Sequence, residues 1–299
     1  MTQVILEVNG LVKRYNGFTA VDRLSFEVFQ GEIFGLLGPN GAGKTTTIRT
    51  VMSIFGPDAG SVSVFGQVPG GSRSNIGYLP EERGLYPELK VMEALVYLAE
   101  LKGLPADEGR RSAQVWLERV ELADWQNHKV KDLSRGMHQK LQFISCLTHD
   151  PDLLILDEPF QGLDPINVEL IKNLMRDLQA QGKTIILSAH QMNLVETLCD
   201  RILLINQGRG VLYGDLAEIK RRYSPDAVRL RIPVDPTGLP GVVRVERSGE
   251  TYTVTLSGTT GQELLRTLVE RDIEVKFFEL ASAPLEEIFI TVVKETLDV

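Results

Sequence analysis

The chain has 299 residues, a formal net charge of −8 and no lysine- or arginine-rich block, which excludes a broad basic footprint for nucleic acid. Its two cysteines, Cys146 and Cys199, show no metal-ligand spacing and sit in apolar, helix-like segments, as reduced core residues do. No apolar stretch approaches the roughly 20 residues that span a bilayer, and the N-terminus lacks the charged-then-apolar signal pattern, so the chain is expected in the cytosol with any membrane role exercised through a partner.

From Val4 to Val28, Val4, Leu6 and Val8 alternate with polar residues, as do Leu24, Phe26 and Val28; this predicts an antiparallel β-layer leading into a central sheet. The run Ile33-Phe34-Gly35-Leu36-Leu37 is continuous, as in a strand buried on both faces. It leads into Gly38-Pro39-Asn40-Gly41-Ala42-Gly43-Lys44-Thr45, a full match to G-x-x-x-x-G-K-[ST]. After it, Ile48, Val51, Met52 and Phe55 predict one face of a helix over 45–55. Glycines let successive N–H groups turn inward toward phosphate oxygens, and the helix start adds its positive dipole end. Lys44 supplies charge to the β- and γ-phosphates, and the Thr45 hydroxyl can ligate Mg²⁺. With such a loop nearby, the Tyr15 ring in the turn Lys13 to Gly17 is a candidate platform for adenine; its alternative is a surface tyrosine.

The turn Gly56 to Gly60 precedes a short strand over 61–65, and a Gly-, Pro- and Ser-rich loop over 69–74 precedes another at Ile76 to Leu79. Helices follow at 91–101 and from Pro105 on, where Val115, Leu117 and Val120 mark the apolar positions. This middle third is an insertion into the strand–helix alternation. The turn Leu133 to Met137 opens an amphipathic helix through Leu147, with Ser134 as a candidate N-cap. Leu153 to Leu156 is a buried strand ending in Asp157 and Glu158, where ligands bind in open α/β sheets. A helix from Pro165 to about Gln181 leads to the strand Thr184 to Leu187 and to His190, either a helix cap or a catalytic group at the strand end. The strand 202–205 and a hairpin through Leu212 complete the core. A linker is predicted over 220–226, followed by half-exposed strands at 228–232, 243–247, 252–256 and 275–280 and helices at 263–269 and 285–293. No catalytic constellation stands out there.

These motifs together resemble the nucleotide-binding subunit of ABC transporters over roughly the first 215 to 220 residues. The resemblance implies a P-loop NTPase fold of the α/β class, with a mixed-sheet core, an antiparallel β-layer and a helical insertion at about 85–150. It places this cassette at 1–220 and a small α+β accessory domain at 227–299. The implied nucleotide-binding residues are Tyr15, Val21, Gly38, Pro39, Asn40, Gly41, Ala42, Gly43, Lys44, Thr45 and Thr46. The signature motif corresponds to Ser134, Arg135 and Gly136, acting on nucleotide held by a second copy, and Asp164 belongs to the D-loop. Glu158, His190 and Lys44 carry hydrolysis, and Thr45, Asp157 and Glu81 are the implied Mg²⁺ ligands, with ATP and Mg²⁺ as cofactors. Two departures stand out: Arg135 and Met137 in the signature, where a second glycine and a glutamine are commoner, and Glu81 where the family has a glutamine. The implied partners are a second copy of the chain and a separate transmembrane permease on the cytoplasmic face of the membrane, with no nucleic acid. The phrase Leu285 to Phe289 and the size of the C-terminal domain resemble exporter ATPases of the sodium- and antibiotic-extrusion group. The segment Glu82 to Leu89, with Leu85, Tyr86 and Leu89, either docks the permease or packs the insertion.

Overall fold

The computed structural model describes residues 3–68, 73–81, 84–224 and 226–297. Residues 69–72 of the expected loop, Glu82 and Arg83 of the expected docking segment and Pro225 of the expected linker lie outside them. The chain divides into two compact units, one running to Asp215 and the other spanning Leu216–Glu295.

In the first unit, β1 (Val4–Tyr15) and β2 (Phe18–Phe29) pair antiparallel from Val4↔Phe29 to Tyr15↔Phe18. β3 (Ile33–Leu37) is buried along its whole length, which explains its unbroken apolar run. The phosphate loop then enters α1 (Lys44–Val51), and β4 (Ala59–Val64) returns to pair with β1 in a three-stranded sheet of order β2-β1-β4. The helix α1 ends a turn earlier than its apolar spacing predicts. Ser53 turns left-handed at φ 55°, and the N–H groups of Ile54 and Phe55 fold back onto the Arg49 carbonyl.

The second sheet adds β5 (Ile76–Leu79), β6 (Leu153–Asp157), β7 (Thr184–Ala189), β8 (Arg201–Asn206) and β9 (Arg209–Asp215) in the order β5-β6-β7-β3-β8-β9. All its pairs are parallel except the β8–β9 hairpin. Ile48 and Val51 of α1 join one core with Leu6 and Phe26 from the first sheet and Ile155 and Ile186 from the second. Burying each such side chain contributes about 1.5–3 kcal/mol, so the helix behind the phosphate loop is clamped between two layers. The inserted helices α2 (Val91–Leu101), α3 (Ala106–Arg119) and α4 (Arg135–Ser145) pack on one another; Leu117 and Val120 are buried there, whereas Val115 is exposed. α5 (Pro165–Ala180) and α6 (Met192–Leu198) flank β7 in the chain.

The second unit begins with α7 (Leu216–Tyr223), so the stretch predicted as a linker is largely helical. Ile219 and Leu216 are buried on one side of it while Lys220, Arg221 and Arg222 crowd its last turn, a pattern easily taken for a polar connector. β10 (Ala227–Arg231), β11 (Val242–Ser248), β12 (Thr251–Leu256) and β13 (Phe277–Leu280) form an antiparallel sheet of order β11-β12-β10-β13. α8 (Gly261–Glu270) lays Leu264 and Leu268 on Val228, Leu230, Val254 and Leu256, and α9 (Leu285–Leu297) follows.

Candidate active site

Parallel pairing brings the chemistry to one edge. β3, β6 and β7 run in register with Leu37 beside Ala189 and Asp157 beside Ser188, so the phosphate loop, the two carboxylates and His190 all leave the same end of the sheet. The loop needs glycine for contact as well as for turning. Gly38 has φ 148°, and a Cβ there would lie 2.2 Å from the Ile205 carbonyl oxygen; Gly43, at φ 112°, would meet the Ala20 carbonyl at 2.6 Å. Both approaches are to backbone, which cannot move aside. Lys44 is buried, its ammonium donating to the carbonyls of Gly38 (2.8 Å) and Pro39 (3.3 Å).

A cleft of about 360 Å³ opens over this loop, lined by Asn40 through Thr46, Tyr15, Phe18, Ala20, Glu81 and Glu158. A larger cavity of about 620 Å³ lies in the second unit, bounded by α7 and the start of α8. It has neither a phosphate loop nor a carboxylate pair, so the smaller cleft is the candidate site. Val21 does not line the cleft: its side chain is fully buried and backs the loop, 3.5 Å from where a Gly43 Cβ would stand. Phe18 and Ala20, two residues that sequence reasoning passed over, take the wall instead. No alternation signals them: β2 carries register shifts on either side of Val21, so the spacing of Leu24, Phe26 and Val28 does not give the sides that residues 18 and 20 take. Tyr15 meets Phe55 edge-on with centroids 5.9 Å apart, and the Lys13 ammonium lies 5.6 Å from the Tyr15 ring centre.

Glu158 follows β6 in a left-handed conformation, φ 53°. Its carboxylate is 12% exposed and lies 2.8 Å from His190 Nδ1. Burial raises its pKa above the ordinary carboxylate value, opposed by His190 and then by Lys44. Asp157 is 1% exposed; its Oδ1 accepts a short hydrogen bond from the Ser188 hydroxyl, while its Oδ2 has no hydrogen-bond partner. Ser188 also accepts from the Glu158 N–H at 3.0 Å. Nothing in the sequence marked this serine, because its role depends on the register between two strands 31 positions apart.

The remaining predicted residues gather elsewhere. Ser134 caps α4 by accepting from the Met137 N–H at 3.3 Å, and Asp164 caps α5 by accepting from Asn167 N–H at 3.0 Å, which holds its carboxyl below the usual range. The Arg135 guanidinium lies over Gly162, where an added Cβ would stand 2.5 Å from Nε. A Cβ added at Gly136 would stand 3.8 Å from the Asn167 side-chain nitrogen, at ordinary van der Waals distance. The starts of α4 and α5 therefore meet in one cluster that contributes no lining residue to the cleft. Leu85 and Leu89 are half-buried, and Tyr86 is exposed with its ring edge-on to Tyr97 at 5.3 Å.

A glycine-rich loop between a buried strand and a clamped helix, with two carboxylates at the end of a parallel strand of the same sheet, defines a P-loop nucleoside triphosphatase. Residues 21–161 match the ABC transporter family, and residues 214–293 match the C-terminal domain of DrrA1-3-like ATP-binding proteins. The chain is 39% identical to the ABC transporter ATP-binding protein YhaQ of Bacillus subtilis, over 96% of this chain and 97% of the relative. It is 40% identical to the Nod factor export ATP-binding protein I of Burkholderia pseudomallei, over 84% of this chain and 86% of the relative. A solved ATP-binding subunit of an ABC transporter superposes with a TM-score of 0.69 and 33% identity, covering 73% of this chain and 93% of its own. The chain belongs to the ABC transporter ATP-binding proteins and is an ABC ATPase. Among the described residues no helix is long and apolar enough to cross a membrane.

Proposed function

We propose that the cleft hydrolyses ATP with Glu158 as general base and His190 as its orienting partner. The observation that carries this reading is the Glu158–His190 contact of 2.8 Å on a carboxylate that lines the same cleft as Lys44 and Thr45. Burial raises the proton affinity of Glu158 and so fits it to take a proton from water; a hydrogen bond to His190 fixes its direction. Lys44 and the loop N–H groups hold the phosphates, and the adjoining aromatic residues Tyr15 and Phe18 hold the base.

The residues also fit a divalent cation: the unpartnered oxygen of Asp157 is a hard ligand, and Thr45 and Glu81 reach the cleft. Mg²⁺ bound there would neutralise charge on the β- and γ-phosphate oxygens. The α4–α5 cluster of Ser134, Arg135, Gly136 and Asp164 serves nucleotide held by a second copy, which accounts for a conformationally well-defined helix start that takes no part in its own cleft. The chain works on the cytoplasmic face of a membrane with a separate permease, and Leu85, Tyr86 and Leu89 contribute to the docking surface. Export is the direction supported by the Nod factor relative and by the DrrA1-3-like second unit, which acts as an accessory domain.

Glu158→Gln is expected to leave ATP binding nearly intact and lower turnover by roughly 10²- to 10⁴-fold. Wild-type turnover in that variant would refute the assignment of the base. In light scattering, the same variant with Mg-ATP should dimerise and Ser134→Arg should abolish this; a monomer under every nucleotide condition, with the permease present or absent, would refute the assembly.

A further inference from the structure

We propose that Ser188 is a positioning residue that sets both carboxylates of the hydrolytic site through a single hydroxyl, a reading that rests on the assignment of Asp157 and Glu158 above. Ser188 is fully buried on β7, directly beside Asp157 in the parallel ladder. A hydroxyl has one proton, and it goes to Asp157 Oδ1; its lone pair then receives the Glu158 N–H at 3.0 Å. Both connections lead to the reacting groups and neither closes an ordinary strand ladder.

Each connection does separate work. With Oδ1 occupied by the serine, the Asp157 carboxylate presents its other oxygen, Oδ2, as the one with no protein partner. Second contacts of this kind orient a ligating carboxylate and set its affinity for a cation. The other connection holds the backbone of Glu158 at φ 53°, a conformation that a non-glycine residue keeps only when its surroundings enforce it. That left-handed step interrupts the alternation of β6 and places the Glu158 carboxylate against His190. Among the described residues no second side chain bonds both Asp157 and the Glu158 N–H. Alanine at 188 would leave two buried polar groups unpaired at the catalytic strand end.

The test compares wild type, Ser188→Ala, Ser188→Thr, Ser188→Cys and Glu158→Gln in the full-length protein. Dissociation constants for ATP are measured by calorimetry with Mg²⁺ and with EDTA, and turnover is measured by phosphate release. Ser188→Ala should weaken Mg-ATP binding by roughly 10- to 100-fold, with a comparable loss of kcat, the range found when a partner of a ligating group is removed. Its affinity for ATP in EDTA should stay within about twofold of wild type, since the phosphate loop is untouched. Ser188→Thr, which keeps the hydroxyl, should recover most of the loss. Ser188→Cys, similar in size but a poor donor, should behave like alanine, and it covers the case in which the alanine variant does not fold. Equal weakening with Mg²⁺ and with EDTA, or failure of threonine to rescue while both replacements remain folded, would overturn the proposal. If Glu158→Gln turns over normally, the base assignment fails. If Glu158→Gln is inactive while Ser188→Ala and Ser188→Cys bind and turn over like wild type, only the serine proposal fails.

Discussion

His149 offers a quantitative test of how the first unit is held together. It is buried after α4, with its Nε2 3.2 Å from the Ile76 carbonyl oxygen, which also accepts from the Lys102 ammonium at 2.9 Å; its Nδ1 has no partner. Burial, and then the nearby Lys102 charge, lower its pKa from 6.5 to about 4. A folded-state value below the unfolded one means that the unfolded chain binds the proton first. The stability at stake is therefore present above pH 6.5 and lost as pH falls toward 4. A gap of about 2.5 units at about 1.4 kcal/mol each comes to about 3 kcal/mol, of which about 2 kcal/mol is lost by pH 5. Other carboxylates titrate over the same range, so the measurement is a difference between wild type and His149→Gln, whose amide does not ionise in this range. Both tryptophans, Trp116 and Trp125, lie in the first unit, so urea unfolding followed by tryptophan fluorescence reports on it. The variant starts less stable at pH 7.5 and should lose about 2 kcal/mol less than wild type between pH 7.5 and pH 5. Parallel stability curves for the two proteins would show that His149 is not held neutral by burial, and would refute the reasoning.

On the proposed assignment of Glu158 as base, it must be ionised to accept a proton, and burial raises its pKa, so the acid limb of kcat/KM should lie above the ordinary glutamate range; His190→Gln, which removes its chief opposing partner, should move that limb further up even as turnover falls. A limb that stays put in a pH–rate series would separate the histidine from the carboxylate. Gly162→Ala should destabilise the protein through both its positive φ of 81° and the Arg135 contact; with Arg135→Ala already in place the cost should shrink by about 0.5–3 kcal/mol, read as a double-mutant cycle in urea. Phe18→Ala should weaken binding of a fluorescent ATP analogue by about fivefold or more, corresponding to loss of roughly 1 kcal/mol of stacking, and unchanged affinity would leave Phe18 as an exposed rim residue.

Much of this protein was legible in its sequence. Continuous apolar runs at 33–37, 153–156 and 185–187 revealed strands buried on both faces, because no solvent-facing side imposes alternation on them. The eight-residue phosphate loop was equally plain, since the backbone turn and lysine it requires are local in the chain. Boundaries set by packing were less so: α1 stops at Val51 because the chain folds back onto Arg49, and the polar turn of α7 hid a helix whose apolar side is short. What only the tertiary structure decided lies between strands. Asp157 and Ser188 are neighbours by register, Phe18 and Ala20 reach the cleft because the hairpin curls over the loop, and Arg135 covers Gly162 because two helix starts converge. Local pattern records what a residue does to its own segment; it contains no information about which distant backbone that segment will be placed beside, and the link from the Ser188 hydroxyl to Asp157 and to the Glu158 backbone exists only through that placement.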